Sequence, residues 1–346
     1  MFIYYTGNVS KLENMSLQEI DEVTITVLMD NSTDLLLTNS EHAMRIPLIL
    51  KERVNLPPPI AEHGFSALVN VVKNNRNKNT EVSNCSFLFD TGVSENGVIY
   101  NANIFGIDFD HIEGIILSHG HFDHFTGLVN IINTIRSKRP DSIVNLYTHP
   151  DAFLKRWIIL PNGTRAKMPA LDEKQLQELN VRIHTNTGVR LLPSYQLPWL
   201  LITGEIPREK HFEKGFPIQY VENSSNNEID LIPDPLVKDD QALVVNIKNK
   251  GLVILTACGH SGIINTINYA KKITGISKIH AVIGGFHLPA GGIYDEAIEP
   301  TMKELEKVNP NYIVPCHCTG WKATNKIIEI FPEKFIQTGV GTTFNF

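Results

Sequence analysis

In the segment DEVTITVLMDN, Val23, Ile25 and Val27 alternate with Thr24 and Thr26, the two-residue period of a strand that buries one face. FSALVNVVK (65–73) and CSFLFDTG (85–92) predict two more strands, joined by the polar, asparagine-rich loop NNRNKNTEVSN. IEGIILS (112–118) is a continuous apolar run, expected as a buried strand, and TGLVNIINTIRSKR (126–139) then carries apolar residues at helical spacing. From about 150 to 235 the pattern weakens into Pro-, Asn- and charge-rich sequence broken by LPWLLITGEIPR (197–208), and we expect an irregular insertion or flap there.

Regularity returns with ALVVNIKNKGLVILTACG (242–259), two strands about the turn Asn249, Lys250, Gly251. Next come a helix at SGIINTINYAKKITG (261–275), a buried strand at IHAVIGGF (279–286) and a helix interrupted near Pro300 at 295–310. A short strand YIVPC (312–316), a helix ATNKIIEIF (323–331) and a final strand in FIQTGVGTTFNF close the chain. An exposed edge at that last strand would offer pairing to a second subunit, hence a possible homodimer. Each half runs strands first and then alternates strand with helix, so two sheets with helices outside them satisfy the pattern. We expect one domain over 1–346, with a short N-terminal extension (1–20).

Composition narrows the class. The 346 residues are 42% hydrophobic, enough for a sizeable core. A net charge of −6 without a long run of one sign disfavours nucleic acid as a partner, and no apolar run is long enough to span a bilayer. With no leader-like pattern in MFIYYTGNVSKLENMS, the expectation is a cytoplasmic protein with no membrane association. Four cysteines, three of them beside histidines, favour metal chemistry or reduced thiols over a disulfide framework.

The chemistry concentrates in LSHGHFDHFTG (117–127). In extended backbone His119 and His121 project to the same side and can grip one ion, while Asp123 and His124 lie in the turn that opens the helix. Imidazole and carboxylate suit zinc, iron and manganese, and a strand end holds them at coordination distance. Further histidines follow apolar strands downstream: Cys258 and His260 in TACGHSG, His287 in GGFHLPAGG, and His317 between Cys316 and Cys318 in VPCHCTG. His260 and His317 are candidate ligands. Cys258 is either a ligand or a buried small hydrophobe. His287 would orient substrate or donate to a leaving group.

His119, Gly120, His121, Phe122, Asp123, His124 is the HxHxDH signature of the metallo-β-lactamase fold superfamily, and FLFDTG with Asp90 resembles its first motif. EHGFSALV, TGEIPR, DDQALVV, LTACGHSGIINT, VIGGFHL and PCHCTG together resemble the branch of metal-dependent hydrolases related to 7,8-dihydropterin-6-yl-methyl-4-(β-D-ribofuranosyl)aminobenzene 5'-phosphate synthase. The resemblance implies an α/β fold, an αββα sandwich of two mixed sheets with helices on the outer faces and the metal site along one edge. It implies that His119 and His121 hold a first metal, that Asp123 and His124 hold a second, and that His317 matches the last histidine of the superfamily. Asp90 would brace the histidine loop. Where the superfamily's strand commonly ends in a bridging aspartate, this chain has Thr256, Ala257, Cys258, Gly259, His260; His260 then completes the first site, and Cys258 bridges, binds or stays out.

The function expected is a metal-dependent hydrolase carrying one or two zinc ions, with iron or manganese as alternatives. A metal-bound hydroxide would attack an ester, lactone, phosphodiester or β-lactam of a small-molecule substrate. Asp123 and His287 are the catalytic candidates, and Arg208, in TGEIPR, is the candidate anchor for a substrate phosphate or carboxylate, against a plain structural salt bridge. Two alternatives stand beside this. One is a dihydropteroate-synthase-like transferase of methanopterin biosynthesis, and the other a metal-binding sensor without catalysis.

Overall fold

A computed structural model of the chain describes residues 17–73, 83–193, 198–225 and 228–346. Most of the expected N-terminal extension and most of the loop NNRNKNTEVSN lie outside the described residues. Within them, Val23, Ile25 and Val27 point inward from the strand Glu22–Met29, as their alternation requires. That strand pairs antiparallel with Ser66–Lys73, which pairs with Ser83–Phe89. The same sheet continues through Gly114–Ile116, Val144–Thr148 and Val181–Thr185, all parallel, and on its other side through Thr343–Asn345 and Ala43–Met44.

A second mixed sheet runs Arg190–Leu192, Leu200–Ile202, Leu243–Ile247, Gly251–Leu255, Ile279–Gly284 and Tyr312–Pro315, with Glu19–Ile20 added beside Leu243–Ile247. The hairpin about Asn249 and Gly251 forms as expected, both residues adopting positive φ. Between the sheets lie Val23, Ile25, Val69, Phe87 and Phe89 from the first and Ile202, Val245, Val253, Ile283 and Val314 from the second. The helices Gly97–Phe105 and Leu128–Lys138 bury Val98, Ala102, Ile131 and Ile135 on the outer face of the first sheet. Ile263–Thr274, Gly292–Val308 and Trp321–Ile330 bury Ile267, Met302, Leu305 and Ile327 on the outer face of the second. Helix, sheet, sheet, helix is the expected αββα sandwich. No helix among the described residues is long and apolar enough to cross a membrane.

Three expectations need correction. The helix Gly292–Val308 runs through Pro300 without a break. Proline removes one backbone N–H, but Ala297, Ile298, Thr301, Met302 and Leu305 are all buried, and that packing outweighs one missing hydrogen bond. The region 150–235 is not irregular: it adds strands to both sheets and forms a separate four-stranded sheet from Arg156–Ile159, Arg165–Lys167, Gln219–Ser225 and Glu228–Pro233. Finally, Thr343–Asn345 is not an edge, because Glu22–Met29 and Ala43–Met44 pair on its two sides. The edge expected to recruit a second subunit is therefore already taken.

Candidate metal centre

Parallel strands leave their C-terminal ends on one side of a sheet, and the loops there collect side chains from distant sequence. The strand Gly114–Ile116 delivers the histidine loop, Gly251–Leu255 delivers Cys258 and His260, Ile279–Gly284 delivers His287, and Tyr312–Pro315 delivers His317 and Cys318. The histidine loop lies tight against its neighbour: a Cβ on Gly120 would sit 2.2 Å from the Ala152 carbonyl oxygen, so only glycine fits.

Two donor sets result. His119, His121 and His260 form the first, and Asp123, His124, Cys258 and His317 the second; within each, the ligand atoms lie within 4.8 Å of one another and the residues are buried. The structure thus brings all six expected ligands and Cys258 together. Cys258 falls in the second set, its Sγ 3.4 Å from His124 Nε2. Asp123 Oδ2 lies 3.5 Å from His124 Nε2 and 3.4 Å from His317 Nε2.

Hydrogen bonds behind the donors settle which nitrogens carry lone pairs. Ser118 Oγ donates to Asp90 Oδ2 (2.6 Å) and so accepts from His119 Nδ1 (2.8 Å), which leaves His119 Nε2 without a proton. Gln219 Nε2 donates to Asp234 Oδ2 (2.8 Å), which turns its Oε1 toward His121 Nε2 and leaves His121 Nδ1 unprotonated. These two bare nitrogens are 2.9 Å apart, and His260 Nε2 is 3.1 Å from the second. Asn31 Nδ2 donates to the His317 carbonyl (2.9 Å) and its Oδ1 accepts from His317 Nδ1 (3.2 Å). His317 Nε2 is left buried, unpartnered and facing the Asp123 carboxylate. Lone pairs facing each other at these distances repel unless a cation lies between them, so the residues fit a metal ion.

The electrostatics agree. Burial pushes His119 and His260 well below the usual imidazole value and takes His121 and His317 to about 4, so all four are neutral and able to ligate. Burial would lower His124 too, but Asp123 and Asp90 on either side carry it well above its ordinary value. A proton there stands where the charge of a metal would otherwise sit. Asp90 itself is fully buried at φ 59°; its Oδ1 accepts from the Ser118 amide (2.7 Å) and its Oδ2 from Ser118 Oγ and from His124 Nδ1 (2.7 Å), the bracing position expected of it.

Both sets face a cavity of about 420 Å³ walled by Phe122, Ile158, Met168 and Phe216 and by the donors His121, Asp123, Cys258, His260 and His317. Two of these, Ile158 and Met168, and also Gln219, come from the small sheet or its loops, so the region expected to be a flap forms a wall of the site. Arg208 is not on this wall. Its guanidinium donates to the Leu236 and Val237 carbonyls and lines a separate hollow with Glu205 and Lys238, so the expected substrate anchor is committed to the backbone of another loop.

His287 lies against His260 with ring centroids 3.9 Å apart and ring planes inclined at 48°. Tyr294 Oη donates to the Gly215 carbonyl (3.3 Å) and therefore accepts from His287 Nε2 (3.2 Å). Nδ1 is then a buried, unpartnered lone pair, an acceptor and not the proton donor to a leaving group that the sequence suggested.

Other participants escape a sequence reading. His63, in EHGFSALV, is largely exposed with Nε2 3.7 Å from Asp123 Oδ2. Arg156 is 1% exposed and joins the small sheet to the histidine loop: its Nη2 donates to Asp239 Oδ1 (2.6 Å), whose Oδ2 accepts from the Gly120 amide (2.7 Å). The motif DDQALVV contained the Asp239 half of this link, but nothing near Arg156 in sequence marks it.

Fold and site together define a protein of the metallo-β-lactamase type, and the chain belongs to that superfamily. The family model described as the metallo-beta-lactamase superfamily matches residues 81–155. More particularly, the chain is 32% identical over 293 residues to the 7,8-dihydropterin-6-methyl-4-(β-D-ribofuranosyl)-aminobenzene-5'-phosphate synthase of Methanocaldococcus jannaschii, covering 83% of this chain and 90% of that one. An uncharacterized protein of the same archaeon is 30% identical over 285 residues, covering 81% and 92%. Among solved structures, a metal-dependent hydrolase of the β-lactamase superfamily superposes with a TM-score of 0.64 at 24% identity, over 93% of this chain and 98% of that one.

Proposed function

We propose that the chain is a metal-dependent hydrolase of small molecules, with His119, His121 and His260 holding one ion and Asp123, His124, Cys258 and His317 a second. The observation that carries this is the pair of unprotonated nitrogens, His119 Nε2 and His121 Nδ1, held 2.9 Å apart beside the cavity. A zinc, iron or manganese ion bound there would bring a coordinated water to a pKa near neutrality and polarise a substrate oxygen.

The chain's own residues supply the rest. Asp123 is held ionised: burial favours its neutral form, but His124 and His317 outweigh that and keep it well below the usual carboxylate range. It can accept a proton on the cavity side. Phe122, Ile158, Met168 and Phe216 exclude water and seat an apolar substrate portion. No lysine or arginine lines the cavity among the described residues, which favours esters and lactones over substrates carrying several negative charges.

A transferase is the second reading, favoured by the name of the M. jannaschii relative, which is a synthase. The experiment is a panel of a chromogenic phosphodiester, a lactone and a chromogenic cephalosporin, each with and without chelator. Chelator-sensitive turnover of any one supports the hydrolase. Metal-loaded protein inert toward all three, yet joining a dihydropterin diphosphate to a ribosylated aminobenzene, would replace it with the transferase.

A further inference from the structure

Cys318 is absent from both donor sets, yet it meets Cys258 and His287 at the side of the cavity. One donor atom from each of the three lies within 4.8 Å of the others. The loops that carry them follow three neighbouring strands, Gly251–Leu255, Ile279–Gly284 and Tyr312–Pro315, paired parallel in that order. Cys318 Sγ donates to the Cys258 carbonyl at 2.9 Å, which fixes its sulfur against the Cys258 backbone. His287 contributes the buried Nδ1 lone pair that no other group satisfies, and holds it from a left-handed backbone (φ 43°) that a β-carbon makes costly.

We infer that Cys258, His287 and Cys318 form a soft-metal site that shares Cys258 with the second donor set and takes zinc. Two thiolates and an imidazole are a donor set that selects a thiophilic ion over magnesium or calcium. Ion binding would release one proton from each thiol to solvent, and the thiolates formed would offset the charge of the ion they hold. Hydrolysis is not a premise: the site stands on its own geometry even if the substrate chemistry is different.

Cobalt(II) is the probe. The reduced, chelator-stripped full chain is titrated with it, reading ions bound per chain and the thiolate-to-cobalt charge-transfer band, for wild type, Cys318→Ala and His287→Gln. In parallel, alkylation of Cys318 in the wild-type protein is followed by peptide mass with and without zinc. The expected result is that each variant binds about one ion fewer, that Cys318→Ala loses about half of the band or more, and that zinc slows alkylation at least about tenfold. If Cys318→Ala does not fold, His287→Gln and wild-type alkylation decide alone. Unchanged stoichiometry and band in the variants, or Cys318 alkylated equally fast with and without zinc, would overturn the site.

Discussion

Asp90 places one carboxylate against Ser118 and His124 at once, and through Ser118 it sets the proton on His119. A single uncharged replacement therefore reaches both donor sets. For Asp90→Asn we expect metal affinity lower by roughly 10–100-fold, as found when partners behind a ligand are lost, with the far-UV spectrum retained. Competition against a chromophoric chelator measures it, and an affinity equal to wild type would remove Asp90 from the account. Gln219→Leu tests the same logic on the first set alone: without its Oε1 the His121 tautomer is free, and affinity there should fall in the same range.

At the scale of elements, the helix Ile263–Thr274 begins at Gly262 without a capping side chain of its own. Glu213 replaces the cap from a distant loop, accepting from the Ile264 and Asn265 amides at 2.8 Å each. Burial pushes Glu213 up to about 7 despite those bonds. A folded value above the ordinary 4.5 means that its contribution to stability is full below about 4.5 and is lost as pH rises through about 7. Thermal melts of wild type should therefore decline across that window, and Glu213→Gln should flatten the decline; parallel slopes for the two would contradict it.

The elements also show what a single sequence makes legible. Val23, Ile25 and Val27, or Ile263, Ile264 and Ile267, declare a buried face because their period matches strand or helix. The helix through Pro300 does not, since the packing that overrides a breaker is contributed by other elements. The small sheet is hidden for the same reason: Trp157 and Ile158 pair with Tyr220 and Gln219 across some sixty residues of weakly patterned chain. Within the site, clustered histidines stood out by their spacing. Gln219, Arg156 and Asn31 act through tertiary contacts and carry no local signal, while Arg208 carries a signal that its contacts with Leu236 and Val237 turn to structure.

For the whole molecule, the centre joins loops from both sheets and the small sheet, so metal should stabilise the fold as a unit. With free zinc at a hundred times the dissociation constant the linkage is about 2.7 kcal/mol, and chelation should lower the melting temperature by several degrees. Gly120→Ala acts on the same joint, forcing the histidine loop from Ala152, and should cost roughly 2–4 kcal/mol in a chemical denaturation. The most direct test of the central claim is elemental analysis of protein purified without added metal, for wild type and for His119→Ala with His121→Ala. The account predicts about one to three equivalents of zinc, iron or manganese in wild type and a loss of about one in the double variant. Folded wild-type protein that carries no transition metal, and takes up none when it is offered, would contradict it.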